Sequence, residues 1–416
     1  MSALAAPVSV IVVSRGRPAL LGRCLQGLSQ LFYPSVEVIV VADPDGIRVA
    51  EASGLPLKLV PFDEANISKA RNLGLAHAAG TFVAFIDDDA VAEPSWLNHL
   101  IPPFDDPNVE ATGGYVRGRN GISLQWSAQW VDRMGQSHPL DMTGDVPELF
   151  RGRKDMGIRT EGTNCAFRRD TLCRMGGFDP AYAFFLDETD VNMRLGARGV
   201  STVLVPLAQV HHGYAENAVR TASRAPTDLT QIGSSSAVFA RKHAPDGADE
   251  PARVICRDAQ RRRLLQHMVE GRLEPGQIAT LLGGFDAGWA YGIERELTPP
   301  VPIEHAKAPF KSISASTRGA RLLSGRIWQA KQLRDKALKL REKGHVVTLI
   351  LLSPSALPMR EAFTEDGIWE RSGGIFGRTD RQNRIVQLSS FGKRIANEVK
   401  ILEKLGRLDQ NQEQTP

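Results

Sequence analysis

The sequence predicts an α/β fold organised on a mostly parallel sheet, and three observations carry that prediction. Apolar runs of strand length at residues 8–13, 36–41 and 82–86 alternate with stretches of helical periodicity. The third run ends in Asp87-Asp-Asp89, which sets three carboxylates at the carboxyl end of a strand apolar on both faces. Open α/β sheets bind their ligands at that edge. No G-x-G-x-x-G follows the first run and no G-x-x-x-x-G-K-[ST] occurs, which disfavours a dinucleotide fold and a P-loop NTPase.

Taken in order, residues 8–13 (VSVIVV) read as a buried strand, and Ser14-Arg-Gly-Arg-Pro18 as a turn. Pro18 suits a first helical turn, after which Leu20, Leu21, Cys24, Leu25 and Leu28 recur at helical spacing. Residues 36–41 are a second strand closed by Ala42-Asp-Pro-Asp-Gly46, and 57–60 a short third. A helix over 68–79 stops at Gly80, and the strand ending in the acids follows. Residues 96–104 suggest a short helix and 109–116 a further strand of the same sheet. The stretch 118–155 is rich in Gly, Pro and Arg with little periodicity, and reads as a loop region that orders over a ligand. Its Trp126 and Trp130 read either as a stacking surface for an acceptor sugar or as loop packing, with packing favoured. A short strand near 165, a glycine pair at 176–177, a second acidic cluster Asp187-Glu-Thr-Asp190, a helix over 191–198 and a strand from 201 lead to Val210-His-His-Gly213.

Three adjacent carboxylates repel unless a positive charge sits among them. A divalent cation carrying a phosphorylated ligand meets that need, since hard cations take carboxylate and phosphate oxygens. The chain has 416 residues, 42% hydrophobic and 24% charged, with a net charge of +4, too mild to argue for nucleic acid. Its four cysteines form no C-x-x-C pair, which suggests neither a zinc site nor a disulfide framework and fits a reducing, cytoplasmic setting. The N-terminus lacks the features of a signal peptide, and no apolar run approaches the roughly 18–20 residues of a membrane span.

The first 243 residues resemble an inverting, metal-dependent family 2 glycosyltransferase of the GT-A fold. The resemblance rests on Ser14-Arg-Gly-Arg-Pro18, Asn66-Ile-Ser-Lys-Ala-Arg-Asn-Leu-Gly-Leu75, Phe85-Ile-Asp-Asp-Asp89, Gly176-Gly-Phe-Asp179, Asp187-Glu-Thr-Asp190 and Val210-His-His-Gly213, in that order. It implies that Asp87 and Asp89 form a D-x-D motif binding Mn²⁺ or Mg²⁺ against the phosphates of a nucleotide-diphosphate sugar. It further implies that one of His211 and His212 completes the metal shell, and that Arg15, Asp43, Asn66, Arg71, Asp87 and Asp88 line the nucleotide pocket. The acid pair Asp187-Glu188 matches the family's base segment in reversed order, so the general base is open between them, with Glu188 favoured. The expected function is sugar transfer to a saccharide or lipid-linked acceptor in surface polysaccharide synthesis. A nucleotide-sugar or glycan-binding protein without catalysis, and a nucleotidyltransferase, are the alternatives.

Beyond that unit the sequence suggests a helical extension over 252–297, a proline-rich linker, and an accessory α/β unit over 311–406. Residues 311–345 hold ten Lys or Arg against two acids, a composition that fits either a solvated helix face or peripheral contact with an anionic membrane at its inner face or an acidic lipid-linked acceptor. Residues 407–416 read as a disordered tail.

Overall fold

The computed structural model describes residues 5–213, 225–313 and 319–408. The first unit contains strands β1 (Val8–Ser14), β2 (Val36–Ala42), β3 (Lys58–Pro61), β4 (Phe82–Asp87), β5 (Ala90–Ala92), β6 (Val109–Arg117), β7 (Leu124–Trp126), β8 (Gln129–Asp132), β9 (Ser137–Pro139), β10 (Glu148–Arg151), β11 (Met156–Arg159), β12 (Cys165–Arg168) and β13 (Ser201–His212). Its helices are α1 (Pro18–Leu28), α2 (Pro44–Ala52), α3 (Ile67–His77), α4 (Trp96–Leu100), α5 (Arg169–Arg174) and α6 (Asp187–Ala197).

The main sheet runs β10-β13-β6-β12-β4-β1-β2-β3, with β5 added on β13 and β7 on β6. β1, β2, β3 and β4 are mutually parallel; β12 is antiparallel to both β4 and β6, and β13 is parallel to β6. Strands β3, β2, β1, β4, β6 and β13 therefore all point one way. Their carboxyl ends, including Ser14, Ala42, Asp87 and His212, collect at one edge.

The sheet is covered on both faces, which is why its strands read as unbroken apolar runs. Val8, Val10 and Val12 pack with Leu21, Leu25 and Leu28 of α1, while Ile11 packs with Ala70 and Leu75 of α3 on the other side. Alternation along one strand divides it between two cores.

One element is added to the expected order and one reading is corrected. After β2, Asp43 caps α2 by accepting from Gly46 N (2.8 Å), with Pro44 in the first turn. Residues 118–155 are not an unstructured loop but include β7 to β10, with β8, β9 and β11 in a separate small sheet. Their strands are three or four residues long and mostly half-exposed, too short to show a period.

Helices α7 (Thr230–His243), α8 (Asp249–Val269) and α9 (Pro275–Glu294) follow. α9 is started by a capping box between Glu274 and Gln277. The proline-rich stretch after it is laid on the first unit, with Ile303 N bonded to Cys173 O (3.0 Å) and Ile313 N to Val36 O (2.8 Å). A second sheet comprises β14 (Ala320–Arg326), β15 (Val346–Ser353), β16 (Arg360–Phe363) and β17 (Trp369–Gly374) in the order β14-β15-β17-β16, with α10 (Ala330–Glu342) and α11 (Phe391–Lys404). Its first three strands in that order are parallel. It docks on the first unit through Arg23 Nη2 to Phe363 O (2.6 Å) and Gln30 Nε2 to Gly367 O (2.8 Å). Arg407, expected in a disordered tail, is fully buried, as is most of Leu408; residues 409–416 of that expected tail lie outside the described residues.

Helices α7 and α9 touch backbone to backbone. A Cβ on Gly288 would lie 1.9 Å from Thr230 O, and one on Gly233 2.1 Å from Phe285 O. Gly288→Ala is expected to lower unfolding free energy by about 1–3 kcal/mol with the urea m-value unchanged, measured by equilibrium denaturation. Asp190 joins α6 to α7: it is buried among Arg194 (2.7 Å), Lys242 (2.6 Å) and His243 (2.8 Å). Burial alone would raise its carboxyl, but Arg194, His243 and Lys242 hold it well below the usual carboxylate range. The unfolded chain therefore takes up this proton first as pH falls, and the cluster's contribution, full above the ordinary Asp value of about 4, is lost below it. Asp190→Asn is expected to cost about 3 kcal/mol at pH 7, with the gap from the parent closing as denaturation curves are taken toward pH 2.

Candidate functional site

The carboxyl ends of β1, β4 and β13 and the start of α6 assemble the site. β4 stops at Asp87, and a tight turn over residues 88 and 89 returns the chain as β5. That turn sends the three acids in different directions. Asp87 and Asp89 face His212, and one ligand atom from each of the three lies within 4.8 Å of the others. Asp88 turns back into the protein, where Ser14 Oγ donates to it (2.7 Å) and Arg17 pairs with it (2.5 Å). Its expected place in the nucleotide pocket is therefore corrected: a carboxylate with no exposure, satisfied by a hydroxyl and a guanidinium, is a brace for the turn.

The two histidines also part company. On β13 successive side chains point to opposite faces. His212 Nε2 lies 3.1 Å from Asp89 Oδ1, its Nδ1 meets Gln125 Oε1 at 3.2 Å, and the Trp126 ring lies 5.6 Å away. With Nδ1–H donating to Gln125, Nε2 presents a lone pair toward the acids, the tautomer a metal ligand requires. His211 points the other way and bonds Glu93 Oε1 at 2.6 Å. The expectation that either histidine would serve is thus narrowed, and His211 is corrected as a ligand of this cluster. Two carboxylates and an imidazole form a donor set that suits Mn²⁺ or Mg²⁺.

The second acidic cluster reaches this one through a single side chain. Arg71 of α3 is buried; its Nη1 donates to Asp187 Oδ2 (2.6 Å) and its Nη2 to Asp87 Oδ1 (3.2 Å) and Gly162 O (3.1 Å). Its guanidinium lies 5.1 Å from the Phe178 ring centroid. One cation thus links the end of β4 to the beginning of α6. Burial pushes the Asp187 carboxyl up to about 7, against the pull of Arg71 and with Glu188 adding to the rise. Glu188 is half-buried beside Asp187.

The turn into α6 is strained. Phe185 and Leu186 have φ of 73° and 65°, a region that costs a non-glycine residue about 1–3 kcal/mol. Neighbours hold it there: Ile67 N bonds Ala183 O (3.0 Å), Ser68 Oγ bonds Tyr182 O (2.7 Å) and Ser235 Oγ bonds Phe184 O (2.7 Å). Strain of this kind clusters at functional sites in proteins generally.

The remaining expected residues fall around the rim. Asp43 accepts from Gly16 N (2.6 Å) as well as Gly46 N, and so ties the turn after β1 to α2. Asn66 caps α3 through Lys69 N (3.0 Å) and donates to Pro180 O (2.9 Å), so its amide serves the loop ahead of α6. Arg15 is exposed and paired with Asp63 at 2.8 Å. Arg17 and Gln125 were not anticipated. Arg17 stands in the same Ser-Arg-Gly-Arg-Pro segment as Arg15 and was within reach of sequence reasoning; Gln125 carries no sequence signal.

A glucosyl-dolichyl phosphate glucuronosyltransferase of Haloferax volcanii is 31% identical over 121 residues, covering 28% of this chain and 36% of that protein. The succinoglycan biosynthesis protein ExoM of Rhizobium meliloti is 30% identical over 194 residues, covering 43% of this chain and 57% of that one. The chain thus spans less than two thirds of the length of these curated relatives. The mannosyltransferase PcManGT of Pyrobaculum calidifontis, in complex with GDP-Man and Mn²⁺, is similar at a TM-score of 0.41 and 18% identity, over 70% of this chain and 87% of that chain. Residues 5–231, more than half of the sequence, match the family described as Glycosyltransferase like family 2, and the chain belongs to that family.

Proposed function

We propose that this protein is an inverting glycosyltransferase that moves a sugar from a nucleotide-diphosphate sugar to a saccharide or lipid-linked acceptor in surface polysaccharide synthesis. The observation that carries the reading is the Arg71 bridge, which sets the acid-bearing start of α6 beside Asp87. Family membership and the names of the relatives, one a glucosyl-dolichyl phosphate transferase and one a succinoglycan biosynthesis protein, support it.

In this reading Asp87, Asp89 and His212 hold Mn²⁺ or Mg²⁺. The cation supplies charge to offset that building on the leaving nucleoside diphosphate. Glu188 is the general base that takes the proton of the acceptor hydroxyl. Asp187, the other candidate, is committed to Arg71 at 2.6 Å and almost fully buried, which leaves the half-buried Glu188 as the acid able to meet an acceptor. One base and one displacement invert the anomeric centre. Arg17 pairs with Asp88, and Arg71 with Asp187 and with Asp87; together they keep the turn after β4 in place.

No helix among the described residues is long and apolar enough to cross a membrane. A peripheral contact is the finer part of the proposal. At the carboxyl edge of the second sheet Trp328 is 69% exposed and Leu388 92%, with Ile327, Leu357, Ile385 and Val386 also exposed. Arg326, Arg378 and Arg384 stand among them, and α10 starts beside them with Lys331 exposed. Apolar side chains interleaved with cations suit an anionic bilayer surface.

Two experiments test these readings. Mn²⁺ together with the correct nucleotide-diphosphate sugar is expected to raise the melting temperature, and Asp89→Ala to abolish the shift. Glu188→Gln is expected to keep the shift and lose at least ~100-fold in kcat, with nucleoside diphosphate as the released product. Release of pyrophosphate would favour a nucleotidyltransferase, and full activity of Glu188→Gln would remove the base assignment. In co-sedimentation, the protein is expected to pellet with vesicles containing phosphatidylglycerol but not with phosphatidylcholine alone, and Trp328→Ser with Leu388→Ser to weaken that binding; equal pelleting with both vesicle types would contradict the contact.

A further inference from the structure

The second sheet reaches the His212 side of the site by two routes, and neither belongs to the assigned machinery. The first is a buried chain of charges. Arg407, just past α11, donates from Nε to Glu93 Oε2 (2.8 Å), from Nη2 to Glu93 Oε1 and from Nη1 to Glu361 Oε1 of β16. Its guanidinium lies 4.2 Å from the Trp369 ring centroid, and the His211 ring meets the same indole at 5.0 Å. Glu93 also holds His211 Nε2 at 2.6 Å. His211 is the residue before His212, and its backbone is paired with Val91 and Arg117. Arg407, Glu93 and Glu361 are all almost completely buried. Ions out of water hold their geometry only while each has its partner.

The second route runs through the loop after β6. Arg381 Nε donates to Ser123 Oγ (3.2 Å), and Glu361 N bonds Asn120 O (2.9 Å). Both contacts grip the stretch after β6, and two residues beyond Ser123 stands Gln125, whose Oε1 meets His212 Nδ1 at 3.2 Å. The far side of the histidine is therefore set by the strand end that Arg407 steadies, and its near side by the loop that Arg381 steadies.

We infer that the C-terminal α/β unit is a working part of the metal site, with Arg407 and Arg381 as positioning residues that orient His212 from opposite sides. This rests on the reading of Asp87, Asp89 and His212 as metal ligands. It assigns the unit a role in the reaction that is separate from the membrane contact, since the residues concerned face the first unit. Groups that orient a ligating histidine typically change metal affinity by about 10–100-fold when removed. Arg407 and Glu93 lie 314 residues apart in sequence, so a C-terminal truncation removes this support although it deletes none of the first 243 residues.

The test is Mn²⁺ titration of the full chain without donor or acceptor, followed by the electron paramagnetic resonance signal of free Mn²⁺ at 20 °C. Melting temperatures are measured on the same samples. Arg407→Met is expected to weaken Mn²⁺ binding about 10-fold or more, with Arg407→Lys recovering part of the loss. Arg381→Ala, at a half-buried surface position that does not threaten folding, is expected to weaken binding several-fold with little change in melting temperature. Arg334→Ala, which breaks an exposed pair with Glu370 on the same unit, is the control expected to change neither. If Arg407→Met fails to fold, Arg381→Ala still decides. Wild-type Mn²⁺ affinity in Arg381→Ala, or in a folded Arg407→Met, would overturn the inference while leaving the metal reading intact. Absence of Mn²⁺ binding by the parent protein would overturn both.

Discussion

One buried guanidinium holds the two acidic segments in register. Arg71 comes from α3, and its partners come from the end of β4, the backbone ahead of β12 and the first residue of α6. A charge placed that deep is stable only when fully paired, so these elements must all arrive together. Removing Arg71 would leave Asp187 buried without its cation and let the start of α6 move away from Asp87. The strained backbone at Phe185 and Leu186 sits at the same junction. Packing of the loop ahead of α6 against Ile67, Ser68 and Ser235 carries the cost of that strain.

The rest of the site follows from how the negative charge is divided. Six acids gather around this edge and the start of α6. Asp88 is given to Ser14 and Arg17, Asp187 to Arg71, and Asp190 to Arg194, Lys242 and His243. Asp87, which shares Arg71, and Asp89 are left facing His212, and Glu188 stands half-buried beside Asp187. The same economy separates the adjacent histidines: one turns to Asp89 and its neighbour to a buried ion network shared with the second sheet. The proposed cation site and a buried salt network can lie one residue apart because a strand presents alternate side chains to opposite sides.

Much of this was legible in the amino acids. Strands β1, β2 and β4 are apolar on both faces, so their runs stand out without any period, and the acids at 87–89 mark the edge where a ligand belongs. What could not be read depended on direction. The sequence places His211 and His212 next to each other but does not say which one faces the cleft. A two-residue turn sends Asp88 away from the acids on either side of it, and nothing in three identical residues announces that. Helix α2 was hidden for a different reason. Asp43-Pro44 closes the second strand and is at the same time a helix-start signal, an acid at the cap followed by proline in the first turn, but the nine residues after it show too little apolar period to mark a helix. Arg407 was lost in a polar tail because its burial depends on Glu93 and Glu361, partners that no local pattern points to.

The central claim is that Asp87, Asp89 and His212 form one cation site and that Arg71 brings Glu188 to its side. The most direct measurement is an anomalous difference map, collected at the manganese edge, from crystals grown with Mn²⁺ and a nucleoside diphosphate. The account predicts a single strong peak bonded to Asp87, Asp89 and His212, with the diphosphate on its open side and the Glu188 carboxylate facing the same cleft. A peak held instead by Glu93, His211 and Glu361, or a Glu188 carboxylate turned out of the cleft, would contradict it.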